Sequence, residues 1–305
     1  MCLYMNLEQV RKSCFFCGEE IEKNKTLEHI IPNALLKKLN IKEEVLGGNL
    51  NIQYSRVKVP AHQYCNSTFG SQYEALLLDM LDDPARIYKS IADDYGIEIQ
   101  YGPEFNDISI IRTWMTKIYY GLFYNDFLKT KDEQYRQICQ KIIGSKNFEL
   151  TRESYKNQYG FNIPSSLYVF KTKNTEFNLR TIIDPATLML RINGLILILS
   201  IGDGFLCRQY LNGESLNQLN DYLALHEENI PDFPSPELAL AEILALRVNI
   251  PKQPFFMFNA KRMINLSLNT MAANPDSLYQ VDPEQIAKDR SDILADFGIK
   301  LEEDD

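Results

Sequence analysis

The sequence contains few cysteines and no long apolar run, and each shortage excludes a class of protein. Six cysteines spread over 305 residues are too sparse for the disulfide framework of a small secreted domain. The longest apolar run, residues 195–199, is far shorter than the roughly 20 residues that a transmembrane helix needs. The N-terminal residues 1–10 lack the basic and apolar segments of a secretory signal. We therefore expect a cytoplasmic protein with no membrane partner.

Acidic residues outnumber basic ones, and the excess lies in one part of the chain. The net charge is −9 at pH 7, which argues against a surface that attracts nucleic acid everywhere. Residues 1–88 contain ten Lys and Arg against eleven Asp and Glu, whereas residues 89–305 contain 22 against 30. The N-terminal segment is therefore nearly neutral and has basic side chains available for phosphate groups.

Cysteine and histidine are concentrated in two pairs of equal spacing. Cys14 and Cys17 form a Cys-x-x-Cys pair, and Gly18 supplies the backbone freedom that a tight turn between two metal ligands needs. His62 and Cys65 repeat the spacing further along the chain. Three thiols and one imidazole complete a tetrahedral set that suits Zn²⁺. We predict a structural zinc site; the alternative is that His62 is merely a surface residue in a loop.

The hydrophobic pattern around these pairs predicts the order strand, long loop, strand, helix. Leu27, Ile30 and Ile31 have strand character, and Pro32 ends that strand. Short helices are predicted at residues 7–12 and 33–39, and a second strand at residues 56–60. Apolar residues recur at helical spacing from residue 64 to residue 80. Two neighbours in a strand, such as Glu28 and His29, are expected to point to opposite sides of it.

The rest of the chain predicts secondary structure but no site. A helical stripe at residues 108–122 is interpreted as buried core. Asn193-Gly194 between two apolar runs predicts a hairpin with a type I′ turn. Two further helices with capped N-termini are expected, one from Ser235 and one from Asp282. Cys139 and Cys207 are expected to be buried, and His226 is expected to lie on the surface.

Taken together, the motifs of residues 14–74 resemble the HNH endonuclease superfamily. The resemblance rests on Cys-x-x-Cys, on Glu-His-Ile-Ile-Pro at residues 28–32, on Cys-Asn at residues 65–66, and on Phe-Gly at residues 69–70 with an acidic residue beyond. It implies an α+β protein with an N-terminal ββα-metal module, residues 1–88, that carries a structural zinc. A larger C-terminal α+β domain, residues 89–305, would follow.

The resemblance also implies roles for individual residues. His29 would be the general base, and Glu28 and Asn66 would hold a catalytic divalent ion, while the two Cys/His pairs would hold the zinc. Glu74 matches the acidic position after Phe-Gly and would either support the ligands of that ion or be a purely structural carboxylate. These roles suit phosphodiester hydrolysis, because an imidazole can deprotonate water near neutral pH and oxygen ligands suit Mg²⁺ or Mn²⁺.

Two positions depart from the pattern of the superfamily. His62 stands where most zinc-bearing members have a cysteine. The middle asparagine of the motif would be expected near Val57, where the sequence has none; Asn49 and Asn51 lie further back. The group that orients His29 is therefore not identified by the motif.

The predicted function is metal-dependent hydrolysis of nucleic acid, with DNA favoured over RNA. The resemblance associates such modules with bacterial defence against phage or with restriction. One alternative is a non-catalytic zinc module that binds nucleic acid or protein, which would have no need of Glu28, His29 and Asn66. In another, a small-molecule signal or a partner acting on the C-terminal domain gates the nuclease. The acidic C-terminal domain is assigned to a protein partner, self-association or regulation.

Overall fold

The computed structural model describes most of the N-terminal half of the chain and part of the remainder. The described residues are 6–46, 50–92, 107–156, 165–183 and 186–201, together with the backbone of two strands at 254–259 and 262–267. The predicted helices at Ser235 and Asp282 lie outside the described residues, as do Cys207 and His226.

Helices and strands are both present among the described residues, which confirms the α+β class. The helices are α1 (Leu7–Lys12), α2 (Asn33–Lys38), α3 (Gln63–Phe69), α4 (Ala75–Met80), α5 (Pro84–Ala92), α6 (Asp107–Lys129), α7 (Glu133–Ile143) and α8 (Lys146–Lys156). The strands are β1 (Lys25–His29), β2 (Val45–Leu46), β3 (Ile52–Gln53), β4 (Lys58–His62), β5 (Ser166–Lys171), β6 (Asn178–Ile182), β7 (Thr187–Ile192), β8 (Leu195–Ser200), β9 (Pro254–Asn259) and β10 (Arg262–Ser267). None of the described helices combines the length and the apolar character that crossing a bilayer requires.

The chain divides into two compact units. The first consists of Met1–Asp83 and Gly102–Asn162, and the second of Pro84–Tyr101 and Ile163–Asp305. Helices α6, α7 and α8 therefore belong to the same unit as the N-terminal motifs, although the sequence analysis placed them beyond a boundary at residue 88. The reason is burial, because almost every side chain of α6 is buried and an apolar helix must pack against other elements.

The predicted order of strand, long loop, strand and helix is present in the first unit. Strands β1 and β4 pair antiparallel, with His29 opposite Lys58 and Lys25 opposite His62. The short pair β2–β3 lies within the connecting segment. Helix α3 begins directly after β4, and it continues through a π-helical turn, Gly70–Glu74, into α4.

Helix α6 lies closely against the end of β1. A Cβ atom added to Gly121 would come within 2.1 Å of Ile30 Cδ1, so only glycine fits at this crossing. Four residues further along α6, Asn125 Oδ1 accepts a hydrogen bond from the backbone N–H of Lys58, at 3.2 Å. Tyr124 fastens α6 to the N-terminal residues, because its hydroxyl donates to the Val10 carbonyl at 2.8 Å. The helix thus forms a rigid backing for β1 and β4.

The second unit is built around an antiparallel sheet. Its strand order is β5-β8-β7-β6, and every residue of β8 is buried. The β7–β8 hairpin turns at Asn193 and Gly194, whose φ angles are 49° and 75°. Two successive positive φ angles are typical of a type I′ turn, so the predicted hairpin is confirmed. Strands β9 and β10 form a separate antiparallel pair.

Candidate functional site

A tight turn at residues 13–20 presents the first two predicted metal ligands. Ser13 and Glu20 pair across the base of this turn. Within it, the Cys14 N–H donates to the Glu19 carbonyl at 2.8 Å, and the Gly18 N–H donates to the Cys14 carbonyl at 2.8 Å. Gly18 has φ +81°, a conformation that side chains disfavour. The predicted role of this glycine is confirmed.

The structure brings the four predicted zinc ligands together. His62 ends β4 and Cys65 lies in the first turn of α3, and the ligand atoms of these two residues and of Cys14 and Cys17 all lie within 4.8 Å of one another. The Cys17 and Cys65 sulfurs are 3.4 and 3.9 Å from His62 Nδ1. Ligands of a tetrahedral zinc with bonds of about 2.0–2.3 Å would be roughly 3.5–3.8 Å apart. The cluster can hold a metal ion and is compatible with zinc.

Hydrogen bonds fix the orientation of the His62 ring. Its Nε2 lies 3.2 Å from the carbonyl oxygen of Glu20. Because a carbonyl only accepts hydrogen bonds, Nε2 carries the proton, and the lone pair of Nδ1 is directed at the sulfurs. The backbone N–H of His62 also donates to Cys14 Sγ, at 3.4 Å. A carbonyl that receives the second ring N–H is a common support for a metal-ligating histidine.

The three thiols of the cluster affect one another's ionisation. Hydrogen bonds from the Cys17 and Cys65 thiols lower the pKa of Cys14, and the same contacts with Cys14 raise the pKa of both partners. Without a positive charge, one thiolate at a time is favoured in such a cluster. A bound divalent cation would favour the deprotonated form of all three thiols.

Aromatic packing anchors the cluster in the core of the first unit. Phe15 and Phe16, the residues between the first two cysteines, are 0% and 2% exposed. Phe16 stacks on Phe69 of α3 with ring centroids 4.9 Å apart. Arg152 of α8 donates from Nε to the Phe15 carbonyl at 3.0 Å, while its guanidinium lies 4.3 Å from the ring centre of Phe148. The position of the ligands is therefore determined by core contacts as well as by the turn itself.

The predicted catalytic residues separate onto two faces of β1. Glu28 is buried, whereas His29 is half-buried, as expected for neighbours in a strand. Asn66 of α3 reaches the Glu28 face, where its Nδ2 lies 3.4 Å from Thr26 Oγ1. Glu74 ends the π-helical turn, and its carboxylate and that of Glu28 meet at a common partner.

That partner is Lys117 of α6, which the sequence analysis did not single out. Its ammonium donates to a carboxylate oxygen of Glu28 and to one of Glu74, and to the backbone carbonyl of His29 at 2.8 Å. The Lys117 side chain is 0% exposed. Burial raises the pKa of Glu74; Lys117 opposes this shift, and the charge of Glu28 adds to it.

This arrangement differs from the one expected for a catalytic divalent ion. The resemblance gives Glu28 and Asn66 to such an ion, but the ammonium of Lys117 already occupies the carboxylate of Glu28. In the described residues, the group of Cys, His and carboxylate side chains that converges for metal binding is the Cys/His cluster. The residues do not fit a divalent ion at Glu28 in this arrangement.

The surroundings of His29 are electropositive. Burial lowers the pKa of His29, and the Lys58 ammonium lowers it further, against a smaller opposing effect of Glu28. Next to Lys58, Lys129 Nζ donates to the Arg56 carbonyl at 2.7 Å. We refer to Arg56, Lys58 and Lys129 as the basic cluster. Positive charge is thus gathered beside His29 in a chain whose net charge is −9.

Two functional candidates, Lys117 and Asn125, lie outside the recognised motifs. Lys117 donates to the backbone carbonyl of His29, and Asn125 accepts from the backbone N–H of Lys58, the strand partner of His29. The motif offered no residue for holding the backbone at these positions. Lys117 had a recognisable signal, because a lysine in the middle of a fully buried helix requires an anionic partner. The sequence did not indicate which anion that is.

The chain shows no similarity to characterised proteins that would assign a function to this site. No family model, no curated protein and no solved structure matches the chain. The HNH resemblance therefore rests on the motif residues, and membership of that superfamily is a proposal.

Proposed function

We propose that the protein is a zinc-stabilised nuclease of the HNH type that hydrolyses phosphodiester bonds in nucleic acid. The observation that carries the proposal is the setting of His29. Its half-buried imidazole lies on β1 opposite Lys58, and β1 pairs with the strand that ends in a ligand of the Cys/His cluster. DNA is favoured over RNA by the resemblance alone.

Zinc in the Cys/His cluster would have a structural role. Its ligands come from the turn at residues 13–20 and from the junction of β4 and α3. Four protein ligands complete a tetrahedral shell and leave no open position for a substrate. The ion would fix α3 against the β1–β4 pair, and with it the position of His29 relative to the helix.

His29 would act as the general base. Its lowered pKa keeps the imidazole unprotonated at neutral pH, so a ring nitrogen can accept a proton from the water that attacks phosphorus. A positioned general base contributes on the order of 10²- to 10⁴-fold in rate. The Lys117 contact to the His29 carbonyl holds the backbone from which this imidazole extends.

The basic cluster would bind the phosphates on either side of the scissile bond. Arg56 and Lys129 are exposed and Lys58 is half-buried, so their charges are available to an anionic polymer. Each Lys or Arg that neutralises a phosphate of duplex DNA contributes roughly −0.9 to the slope of log K against log salt. Replacing both Arg56 and Lys129 by Gln is expected to make this slope shallower by about 2.

A divalent ion, when bound, would stabilise negative charge on the phosphoryl oxygens. The resemblance implies Mg²⁺ or Mn²⁺ at Glu28 and Asn66, with Glu74 close by, but Lys117 holds both carboxylates. We therefore assign no step of the reaction to this ion. The dependence of cleavage on Mg²⁺ or Mn²⁺ is part of the test.

The test is cleavage of supercoiled DNA and of RNA by the full-length chain with Mg²⁺ or Mn²⁺. The variant is His29→Ala, and the matched control is His226→Ala, since His226 is the one histidine outside the motifs. We expect His29→Ala to lose at least 100-fold in rate while retaining its zinc and its melting temperature, and His226→Ala to cleave like wild type. Equal cleavage by wild type and His29→Ala, or none by either, would refute the catalytic role.

The pairing of Lys117 with Glu28 and Glu74 favours a second candidate, a non-catalytic zinc module that binds nucleic acid. Such a module would use the basic cluster and would have no need for free carboxylates. It predicts salt-dependent binding of DNA or RNA without cleavage in either metal ion. Measuring binding and cleavage on the same preparations separates the two functions.

The second unit is proposed to regulate the nuclease, to bind a protein or to self-associate. Residues 84–101 and 163–305, which form this unit, carry 14 basic against 23 acidic side chains, which makes them poorly suited to binding phosphate. From the resemblance we also propose a setting in defence against phage or in restriction. Gating of the nuclease by a small-molecule signal or a partner that acts on the C-terminal part of the chain is an alternative.

A further inference from the structure

Lys117 is a charged group in the core of the first unit, and its charge is fully hydrogen-bonded. Burying an ammonium costs several kcal/mol unless acceptors replace its water. An ammonium has three protons to donate, and Lys117 has three acceptors: carboxylate oxygens of Glu28 and Glu74, and the His29 carbonyl. The match between donors and acceptors indicates a formed binding site for one positive charge.

The acceptors are the kind that a hard metal ion prefers. Two carboxylates and a backbone carbonyl are typical oxygen ligands of Mg²⁺ and Ca²⁺. The ring centre of Phe69 lies 5.2 Å from Lys117 Nζ, so an aromatic face also adjoins the ammonium. If all groups are ionised, the two carboxylates and Lys117 carry a net charge of −1. Removing the ammonium would leave −2 at a site with the correct ligand chemistry for a divalent cation.

Helix α6 holds the ammonium of Lys117 in position. One helical turn after Lys117, Gly121 allows α6 to approach Ile30 closely. A further turn along, Asn125 is bonded to the backbone of Lys58. These three residues are spaced four apart and therefore share one face of the helix. Lys117 is thus held in place by the packing of α6 on β1 and β4.

We propose that Lys117 is the resident cation of the Glu28–Glu74 pair and that it positions His29 through the backbone carbonyl. The carboxylate pair receives a divalent cation only when the ammonium is absent from it. This assignment extends the proposed function by naming a positioning residue outside the HNH motifs. Its metal-binding part holds whether or not the protein cleaves nucleic acid.

The test measures Mn²⁺ binding to the zinc-loaded full-length chain by electron paramagnetic resonance. Three proteins are compared: wild type, Lys117→Met, and Lys117→Met combined with Glu74→Gln. We expect Lys117→Met to bind one Mn²⁺ at least tenfold more tightly than wild type, because an extra unit of negative charge and two free carboxylates become available. The added Glu74→Gln change should reverse most of that gain.

Thermal unfolding provides the measurement that remains decisive if Lys117→Met is unstable. A ligand that binds the folded state alone raises the melting temperature, so Mn²⁺ should stabilise Lys117→Met and have little effect on wild type. The inference is overturned if Mn²⁺ neither binds to Lys117→Met more tightly than to wild type nor stabilises it more than wild type. A Lys117→Met variant that stays unfolded with and without Mn²⁺ would also overturn it. Tight Mn²⁺ binding by wild type that is lost in Glu28→Gln would also overturn it.

The positioning role is read separately in the cleavage assay and rests on the proposed function. Lys117 is 0% exposed and does not meet the substrate, so Lys117→Met should lower kcat with KM within about twofold of wild type. Lys58→Met, which alters the basic cluster, should raise KM instead. A change in KM alone for Lys117→Met would contradict the positioning role. If no protein cleaves, the proposed function fails while the Mn²⁺ comparison still decides the cation assignment.

Discussion

Replacing Gly121 by Ala should destabilise the first unit by forcing α6 away from β1. The added Cβ would lie 2.1 Å from Ile30 Cδ1, 2.8 Å from Cγ1 and 3.1 Å from Cγ2. Optimal contacts between carbon atoms are about 3.5–4.0 Å, so all three distances are repulsive. Ile30 is 0% exposed and β-branched, and its stiff side chain has little room to rotate away.

The expected loss follows from two opposing effects. Overpacking a well-filled core costs about 1–3 kcal/mol, and three short contacts on a stiff side chain place Gly121→Ala near the upper end. Alanine is favoured over glycine inside a helix by about 1 kcal/mol. The net loss in the free energy of unfolding is therefore about 1–2 kcal/mol. For a unit of this size, that corresponds to a decrease of roughly 3–8 °C in melting temperature.

Tryptophan fluorescence provides a local assay for this change. The chain contains a single tryptophan, Trp114, which lies in α6 and is 0% exposed. Its emission therefore reports unfolding of the first unit within the full-length chain. The matched control is Gly70→Ala, because Gly70 is also helical but an added Cβ there has no neighbour within 4 Å. We expect Gly70→Ala to be neutral or up to about 1 kcal/mol more stable.

A double-mutant cycle tests whether the clash with Ile30 is the cause. Ile30→Ala alone should cost about 2–5 kcal/mol, as for other buried truncations. Combined with Gly121→Ala, it removes the side chain that the new methyl meets, so the second change should then cost little or become stabilising. If Gly121→Ala and Gly70→Ala have the same effect, or if the two changes at the crossing are additive, the reasoning about this contact is wrong.

The remaining predictions concern the ionisable groups. Burial and Lys58 lower the pKa of His29, so the neutral base persists to lower pH, and the acidic limb of log kcat/KM should fall below the ordinary histidine value of about 6.5. Lys58→Gln should move that limb to higher pH; a limb that stays in place would contradict the electrostatic effect. Burial raises the pKa of Cys139 to about 12, so iodoacetamide at pH 7.5 should leave this thiol unmodified in the folded chain and modify it after denaturation, as read by peptide mass spectrometry. Removal of zinc by a chelator should expose the three cysteines of the metal cluster to the same reagent and lower the melting temperature of the Trp114 transition; equal alkylation and melting before and after chelation would argue against a bound metal.

Local sequence was sufficient for features that depend on short-range geometry. The turn at residues 13–20 needs two ligands three residues apart and a glycine with positive φ, and all of these are adjacent in the chain. The Asn193-Gly194 turn and helix α1 follow in the same way from turn and capping preferences. The second pair of ligands could be predicted because His62 and Cys65 repeat a spacing that suits one metal ion.

The partners of the buried charges were decided by tertiary structure alone. Lys117 lies 89 residues from Glu28 and 43 residues from Glu74 along the chain, and no periodicity relates such distant positions. The sequence predicted that the α6 segment is core, but not that it packs against the N-terminal module. Because the sequence ended that module at residue 88, it separated Lys117 from the carboxylates that it joins.

The sequence by itself thus identified the four residues that can hold a metal ion and the imidazole that is proposed as the general base. Only the tertiary structure decided how Glu28 is used. Burying a carboxylate requires a partner, and the close approach of α6 at Gly121 makes that partner the ammonium of Lys117.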